Sequence, residues 1–396
     1  MDYSGFFTDE AVRLEILRKR AYNMRWAEQP EDVLPMTAAD PDFPACPEVV
    51  RAIKDYADAG YFSYTPPLGL PEFREAIAAG LRRRKNEDVD PSLVLPIDSA
   101  ARAMHVTAAM LLQPGDEMIV WDPVDFLFRA SCLAAGGTPV LFPTKLGADG
   151  KIDLSDLESC VTPKTKLIGL CNPHNPVGAL YSKETLETLL DIADRHGIWI
   201  MSDEIWSDIV YPGEEFMSLF DPRVRGNKER VIGIYGFSKT FGVAGLRIGC
   251  VYAASKAAFD KAVEASGVLS TAGGISSLSQ IAGTACMNEG FDYFDAFLKH
   301  LTRNRDYACE RLNAMKGISC RKPQATYLVF PDISSTGLTS VEFADLMREK
   351  AKLAIVPGSE RFFGPGAEGH VRICIATSSG LLKEGLDRFE YGLSLI

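Results

Sequence analysis

Three short runs of residues carry groups that could do chemistry. In Gly236-Phe237-Ser238-Lys239-Thr240-Phe241-Gly242-Val243-Ala244-Gly245-Leu246-Arg247, a lysine follows an apolar run, enters a loop of small residues, and has an arginine eight positions later. The lysine amine can form a Schiff base with an aldehyde cofactor, and the arginine can hold a phosphate through paired hydrogen bonds. Alone, such a lysine is an ordinary solvated loop residue, so the reading depends on what accompanies it. Cys171-Asn172-Pro173-His174-Asn175-Pro176-Val177-Gly178 joins an apolar run to turn residues. The Asn175 amide could donate there to an anionic ring oxygen, although the segment by itself is a good turn. Met201-Ser202-Asp203-Glu204-Ile205-Trp206 ends an apolar run in two carboxylates. An acid at that position usually caps a helix, but it can also keep a pyridine nitrogen protonated.

These runs need a scaffold that brings them to one edge, and the sequence around them supplies the pattern of one. From about residue 117 to 255, short apolar runs (Glu117 to Trp121, Thr138 to Phe142, Lys166 to Cys171, Ile198 to Ser202 and Arg230 to Tyr235) alternate with helical stretches. That alternation predicts a mostly parallel sheet covered by helices, which places ligands at the ends of its strands. Between the third and fourth runs, Leu186, Leu189, Leu190, Ile192 and Ala193 repeat with helical spacing, with Ser182 as a start signal and Gly197 as a stop. After about residue 290 the texture changes to a charged helix (Asp292 to Met315), a strand-like Ala325 to Phe330, a helix from Ser340, and strand-like Ala354 to Val356 and His370 to Ile375. The expected organisation is a large domain over 46–285 and a smaller α+β domain over 286–396. Residues 1–45 are expected to belong to the small domain, with the Pro-rich Leu34 to Pro47 stretch touching both.

Composition narrows the function classes. A 396-residue chain with 46% apolar residues can bury a full core. The net charge of -11, from 53 acidic and 42 basic side chains, argues against nucleic acid or an anionic membrane surface as partner. Nine cysteines (Cys46, Cys132, Cys160, Cys171, Cys250, Cys286, Cys309, Cys320 and Cys374) form no Cys-x-x-Cys pair, and the histidines His105, His196, His300 and His370 have no metal-ligand spacing. No metal is expected. The acidic N-terminus and the lack of a long apolar run lead to the expectation of a soluble cytoplasmic protein with reduced thiols.

The three runs occur in order, 28 residues from Asn175 to Asp203 and 36 from Asp203 to Lys239. With Tyr64-Thr65-Pro66-Pro67-Leu68-Gly69, Pro114-Gly115-Asp116 and Val371-Arg372-Ile373 also in order, nearly the whole chain resembles the fold-type I pyridoxal-phosphate (PLP) enzymes of the class I/II aminotransferase superfamily. The resemblance implies an α/β PLP-transferase fold and PLP on Lys239 as a Schiff base. Lys239 would also move the Cα proton through a quinonoid intermediate. It implies that Asp203 pairs with the pyridinium nitrogen, that Asn175 donates to the phenolate oxygen, and that Ser99, Ala100, Ala101, Ser238 and Arg247 hold the phosphate. It places Tyr64 on the phosphate of a neighbouring subunit, hence a homodimer, and Arg372 on the substrate α-carboxylate, with Ala39 and Asn175 beside the substrate. His174 is expected beneath the ring without a catalytic part.

The pocket departs from the family. Trp206 stands where a tyrosine or histidine usually contacts the cofactor oxygen, Ala100 replaces a glycine, and Gly236 replaces a frequent serine. The aromatic that stacks on the ring should follow Asp122-Pro123, where counting lands on Asp125, leaving Phe126 as the candidate. Two reactions fit. Ala21-Tyr22-Asn23-Met24-Arg25-Trp26, Leu34 to Phe43 and Asn304-Arg305-Asp306-Tyr307 look like the cystathionine β-lyase-like C–S lyases, which release pyruvate, ammonia and a thiol. Gly245-Leu246-Arg247-Ile248-Gly249 and Pro357-Gly358-Ser359 look like aminotransferases, and transamination of an α-amino acid is the expected activity. A regulator that binds PLP without turnover is disfavoured, since lysine, aspartate and both arginines are retained and no DNA-binding extension is present.

Overall fold

The computed structural model describes residues 3–270 and 273–396. Its main sheet has seven strands: β1 (Val94–Ile97), β2 (Glu117–Asp122), β3 (Thr138–Pro143), β4 (Thr165–Cys171), β5 (Trp199–Asp203), β6 (Val231–Gly236) and β7 (Gly249–Ala253), in the order β1-β7-β6-β5-β4-β2-β3. Every pairing is parallel except those of β7, which runs against both β1 and β6. The five runs read from the sequence are five of these strands, each within a residue or so of the expected bounds. β1 and β7 were not foreseen, because Val-Leu-Pro-Ile and Gly-Cys-Val-Tyr-Ala are short and interrupted by Pro96 or opened by Gly249.

The central strands are buried on both faces, as their unbroken apolar runs require: all of β6 is buried, and so is β4 except Lys166. The helix Ala100–Leu111 lies across β1, β4, β5, β6 and β7. The helix Lys183–His196 begins where Ser182 Oγ accepts from Thr185 N (3.0 Å) and ends at Gly197, whose φ of +66° suits a left-handed cap. Register decides what the sheet presents. Cys171 pairs with Asp203, and Asp203 with Ile234, so the turn after β4, the carboxylates ending β5 and the lysine loop after β6 emerge at one edge.

Beyond the long helix Phe291–Ala314, a second sheet contains β8 (Leu328–Val329), β9 (Val356–Pro357) and β10 (Val371–Cys374), with β10 central and antiparallel to both neighbours. The strand expected over Ala325 to Phe330 is reduced to two residues, and that over Ala354 to Val356 is split: Leu353–Ala354 pairs instead with Leu34–Pro35. The N-terminal segment is thereby stitched to this region, with Met36 O accepting from Cys374 N (3.0 Å) and Asp42 N donating to Ala376 O (3.0 Å). A buried ion pair between Arg25 and Asp42, reinforced by Trp26 Nε1 on Asp42 Oδ1 (2.6 Å), fixes the same stretch. Within it, Asn23, Met24, Ala38 and Ala39 supply one wall of the cavity at the sheet edge.

Candidate active site

A cavity of about 540 Å³ opens at the strand ends, between the main sheet and the region of β8–β10. Lys239 enters it from the short helix Ser238–Phe241 that follows β6. Its Nζ donates to Ala39 O (2.6 Å), which also accepts from the buried Tyr327 hydroxyl (3.1 Å). Burial holds the Lys239 amine below its ordinary proton affinity, against the opposing pull of the Asp40 carboxylate. Such an amine is closer to the neutral form that attacks a carbonyl.

Asp203 closes the floor at the end of β5. Burial pushes its carboxyl up to about 7, and its one donor among the described residues is the Ile205 amide on Oδ1 (3.2 Å). A cationic ring nitrogen would return it to the charged form. Trp206, nearly fully buried, packs edge-on against Tyr327 with centroids 4.8 Å apart, and its ring centroid lies 5.6 Å from Lys239 Nζ. Behind Asp203, Glu204 faces away from the cavity into a buried polar cluster. It accepts from Ser202 Oγ (3.0 Å) and Ser218 Oγ (2.9 Å), while Lys85 Nζ lies 2.9 Å from Glu87 Oε1 and donates to Ser207 Oγ (2.8 Å). Asp208 Oδ2 accepts from Tyr235 OH (2.6 Å) and Thr240 Oγ1 (2.9 Å), tying this cluster to the residue after Lys239.

The anion end of the cavity is formed by Ser99, Ala100, Ala101, Ser238 and Arg247. Ser99 caps the helix Ala100–Leu111, its Oγ accepting from Arg102 N (3.1 Å), so the first free amides and the positive end of the helix face the cavity. This start rests on strand backbone: a Cβ on Gly249 would lie 2.6 Å from the Ser99 carbonyl carbon and 2.7 Å from Ala100 N. Likewise a Cβ on Gly236 would meet Ile205 side-chain carbons at 2.8 Å and Ala100 Cβ at 3.0 Å, which explains why glycine replaces serine there. The Arg247 guanidinium forms no ion pair or hydrogen bond with another of the described residues, which leaves it available for an anion.

Arg372, central in β10, reaches the cavity from the opposite side and is buried. Among the described residues its guanidinium bonds only to neutral oxygens, Asn175 Oδ1 (3.3 Å) and Thr37 O (3.4 Å), and its Nε has no partner. Asn175 in turn donates from Nδ2 to Asp125 Oδ2 (2.9 Å). Asp125 is thus a member of the cavity wall, and Phe126, which also lines it, remains 43% exposed. His174 does not reach the cavity: fully buried, it holds Pro123 O with Nε2 (2.8 Å), and burial lowers it to about 4.

The structure therefore brings Lys239, Asp203, Asn175, Arg247, Arg372, Ala39, Trp206, Phe126, Ser238 and Ser99 to Ala101 together. Tyr64 is the exception, 90% exposed and bordering a separate surface depression. Sequence reasoning did not single out Asn23, Met24, Arg361, Phe362 and Phe363, which also line the cavity. Only the position of Asn23 and Met24 just before Arg25-Trp26 hinted at a role; both adopt left-handed backbone, φ +63° and +64°. Among the described residues no group of acids, cysteines and histidines could hold a metal ion, and no helix is long and apolar enough to cross a membrane.

The groups present fit PLP: an isolated helix start with a free guanidinium for the phosphate, a buried acid with its carboxyl raised for the ring nitrogen, and an amine between them. The family described as aminotransferase class I and II matches residues 31–389. An aspartate aminotransferase of Pyrococcus abyssi is 34% identical over 91% of both chains. The structure of an aromatic aminotransferase from Pyrococcus horikoshii superposes with a TM-score of 0.85 at 30% identity, covering 97% of this chain and 99% of its own. Cystalysin from Treponema denticola, a structure containing pyridoxal 5'-phosphate, gives 0.89 at 23% identity over 100% and 99% of the two chains, a likeness of fold.

Proposed function

Because the chain belongs to the class I and II aminotransferases, enzymes that depend on PLP, we propose that it binds an α-amino acid by its carboxylate on Arg372 and moves the Cα proton with Lys239. The observation that carries this is the buried Arg372, aimed into the cavity and, among the described residues, with no carboxylate bonded to it and no partner for Nε. A buried guanidinium is costly without an anion, and the planar α-carboxylate supplies a bidentate one. PLP, when bound, supplies the electron sink that lets the amino acid lose its Cα proton and exchange its amine for a carbonyl.

The chain's own residues then have separable parts. Asp203, charged once it faces a cationic ring nitrogen, keeps that nitrogen protonated. Asn175 donates to the ring oxygen. The Ser99–Ala101 amides, Ser238 and Arg247 hold the phosphate at the helix start. Lys239, its amine released from the cofactor, takes the Cα proton and returns it elsewhere, and Ala39 O holds that amine near the cavity. Phe126 and Trp206 flank the ring. The large domain of 46–285 and the small one of 286–396 with 1–45 meet at this cavity.

The active unit is a homodimer in which Tyr64 of each copy completes the other's phosphate site. Its support is the near-complete exposure of Tyr64 beside Tyr61 (80%) and Phe62 (57%), aromatic surface that an isolated chain would leave in water. The site of action is the cytoplasm, in keeping with nine free cysteines, eight of them buried.

The test is to mix the PLP-loaded protein with a panel of amino acids that includes cystathionine, following cofactor absorbance and released products. Transamination yields pyridoxamine phosphate and a keto acid, reversed by a second keto acid. Pyruvate, ammonia and a free thiol would overturn it in favour of β-elimination.

A further inference from the structure

Asp125 occupies the wall position that an aromatic ring would be expected to fill, and both of its oxygens are committed. Oδ1 accepts from Leu127 N (3.1 Å), shaping the turn into the helix Leu127–Ala134, while Oδ2 accepts from Asn175 Nδ2 (2.9 Å). Asp125 N also donates to Asn175 O (3.2 Å), so the two residues are held together through backbone and side chain.

The Asn175 amide has two possible orientations related by a half turn, and its two neighbours agree on one. A carboxylate can only accept, so Asp125 requires Nδ2 on its side; a guanidinium can only donate, so Arg372 requires Oδ1 on its side. Reversed, the amide would set oxygen against oxygen and donor against donor. The amide nitrogen has a second hydrogen, and with the first bound to Asp125 it remains available to the cavity. The arginine is the weaker partner in this chain, at 3.3 Å, and its other bond, to Thr37 O, is 3.4 Å long. Its orientation therefore depends on where Asn175 Oδ1 is held.

We propose that Asp125 is a positioning residue that acts through Asn175: it fixes the amide so that one face donates to the cofactor and the other aligns Arg372 for the substrate carboxylate. The inference rests on the substrate-binding part given to Arg372 above. It predicts that Asp125 controls carboxylate affinity although it cannot itself bind a carboxylate, since like charges repel. The capping of the Leu127 turn is a second, purely structural part, and the two can be separated because serine or asparagine retains an acceptor for Leu127 N.

The experiment measures equilibrium binding of 2-methylalanine to the PLP-loaded protein through the change in visible cofactor absorbance. This amino acid has no Cα hydrogen and so binds without being deprotonated, and its small side chain suits a pocket of any specificity. Asp125→Ser and Asp125→Asn are each expected to weaken binding by about tenfold or more, the range for a hydrogen bond serving a charged group. In an Asn175→Ala background, Asp125→Ser is expected to add little further loss, because the residue it acts through is gone. Binding within twofold of the parent in both single variants, or full additivity with Asn175→Ala, would overturn the proposal. If one single variant fails to fold, the other, together with the cycle, decides. Failure of the unsubstituted protein to bind 2-methylalanine at all would instead count against Arg372 as the carboxylate site.

Discussion

Among single residues, Lys239 and Arg372, two of the basic groups that line the cavity, invite opposite experiments. Lys239 is the one amine within the cavity among the described residues, so Lys239→Ala should leave a folded protein that lacks the visible band of covalently held PLP and loses turnover by at least about 10³-fold. A spectrum and an initial rate check this, and retained activity would remove Lys239 from the chemistry. Arg372→Ala should raise apparent KM by roughly 30- to 150-fold, the loss of about 2–3 kcal/mol of charge-assisted hydrogen bonding, while kcat changes less. Steady-state rates over a range of amino-acid concentrations separate the two constants. An unchanged KM would mean that another group holds the carboxylate. Both residues were legible in the sequence because each stands in or just after a strand, where register leaves little freedom. Asp125, Arg361 and the left-handed pair Asn23 and Met24 lie in connections, where counting from a motif does not fix which side chain turns inward. Thus Phe126 was named for the wall that Asp125 shares.

At the level of elements, the apolar runs that became β2, β4 and β6 predicted strands because burial on both faces leaves little polar interruption to misread. β1 and β7 escaped the same reading, their chemistry being in glycine and proline contacts that only the folded packing gives meaning. The buried cluster around Lys85 also escaped it, since it joins the end of helix Pro71–Lys85 to Glu87 and to the turn after β5 across more than a hundred residues. That cluster holds the strand end that carries Asp203. Replacing Lys85 with methionine strands Glu87 in the interior and should lower stability by about 3–5 kcal/mol, whereas Lys85→Met combined with Glu87→Gln should recover much of it. Urea denaturation of both variants measures the difference, and equal losses would show that charge pairing is not what the cluster contributes.

The whole molecule inherits opposing pH dependences from Asp203 and His174. In the cofactor-free protein Asp203 keeps its proton up to about 7, so between about 4 and 7 the folded state binds more protons and stability falls as pH rises. His174 does the reverse: held to about 4 when folded, it takes up a proton more readily when unfolded, and stability falls as pH drops from 6.5 towards 4. Each contributes a slope of up to about 1.4 kcal/mol per pH unit, of opposite sign. Relative to the parent, cofactor-free Asp203→Asn should therefore gain stability on going from pH 5 to 6.5, and His174→Gln should lose it. Urea midpoints at the two pH values decide this, and parallel shifts in both variants would refute it. The contact of Gly249 with the Ser99–Ala100 peptide has its own consequence for how the protein meets its cofactor. With no side chain between helix start and strand, the anion cradle has little slack to lose, so capture of a phosphate should cost little ordering entropy. Hydrogen–deuterium exchange would register this as sheet-like protection of the Arg102 and Ala103 amides, both bonded to Ser99, before PLP is added and little increase afterwards. Gly249→Ala should convert the same cradle into one that hardens only on binding.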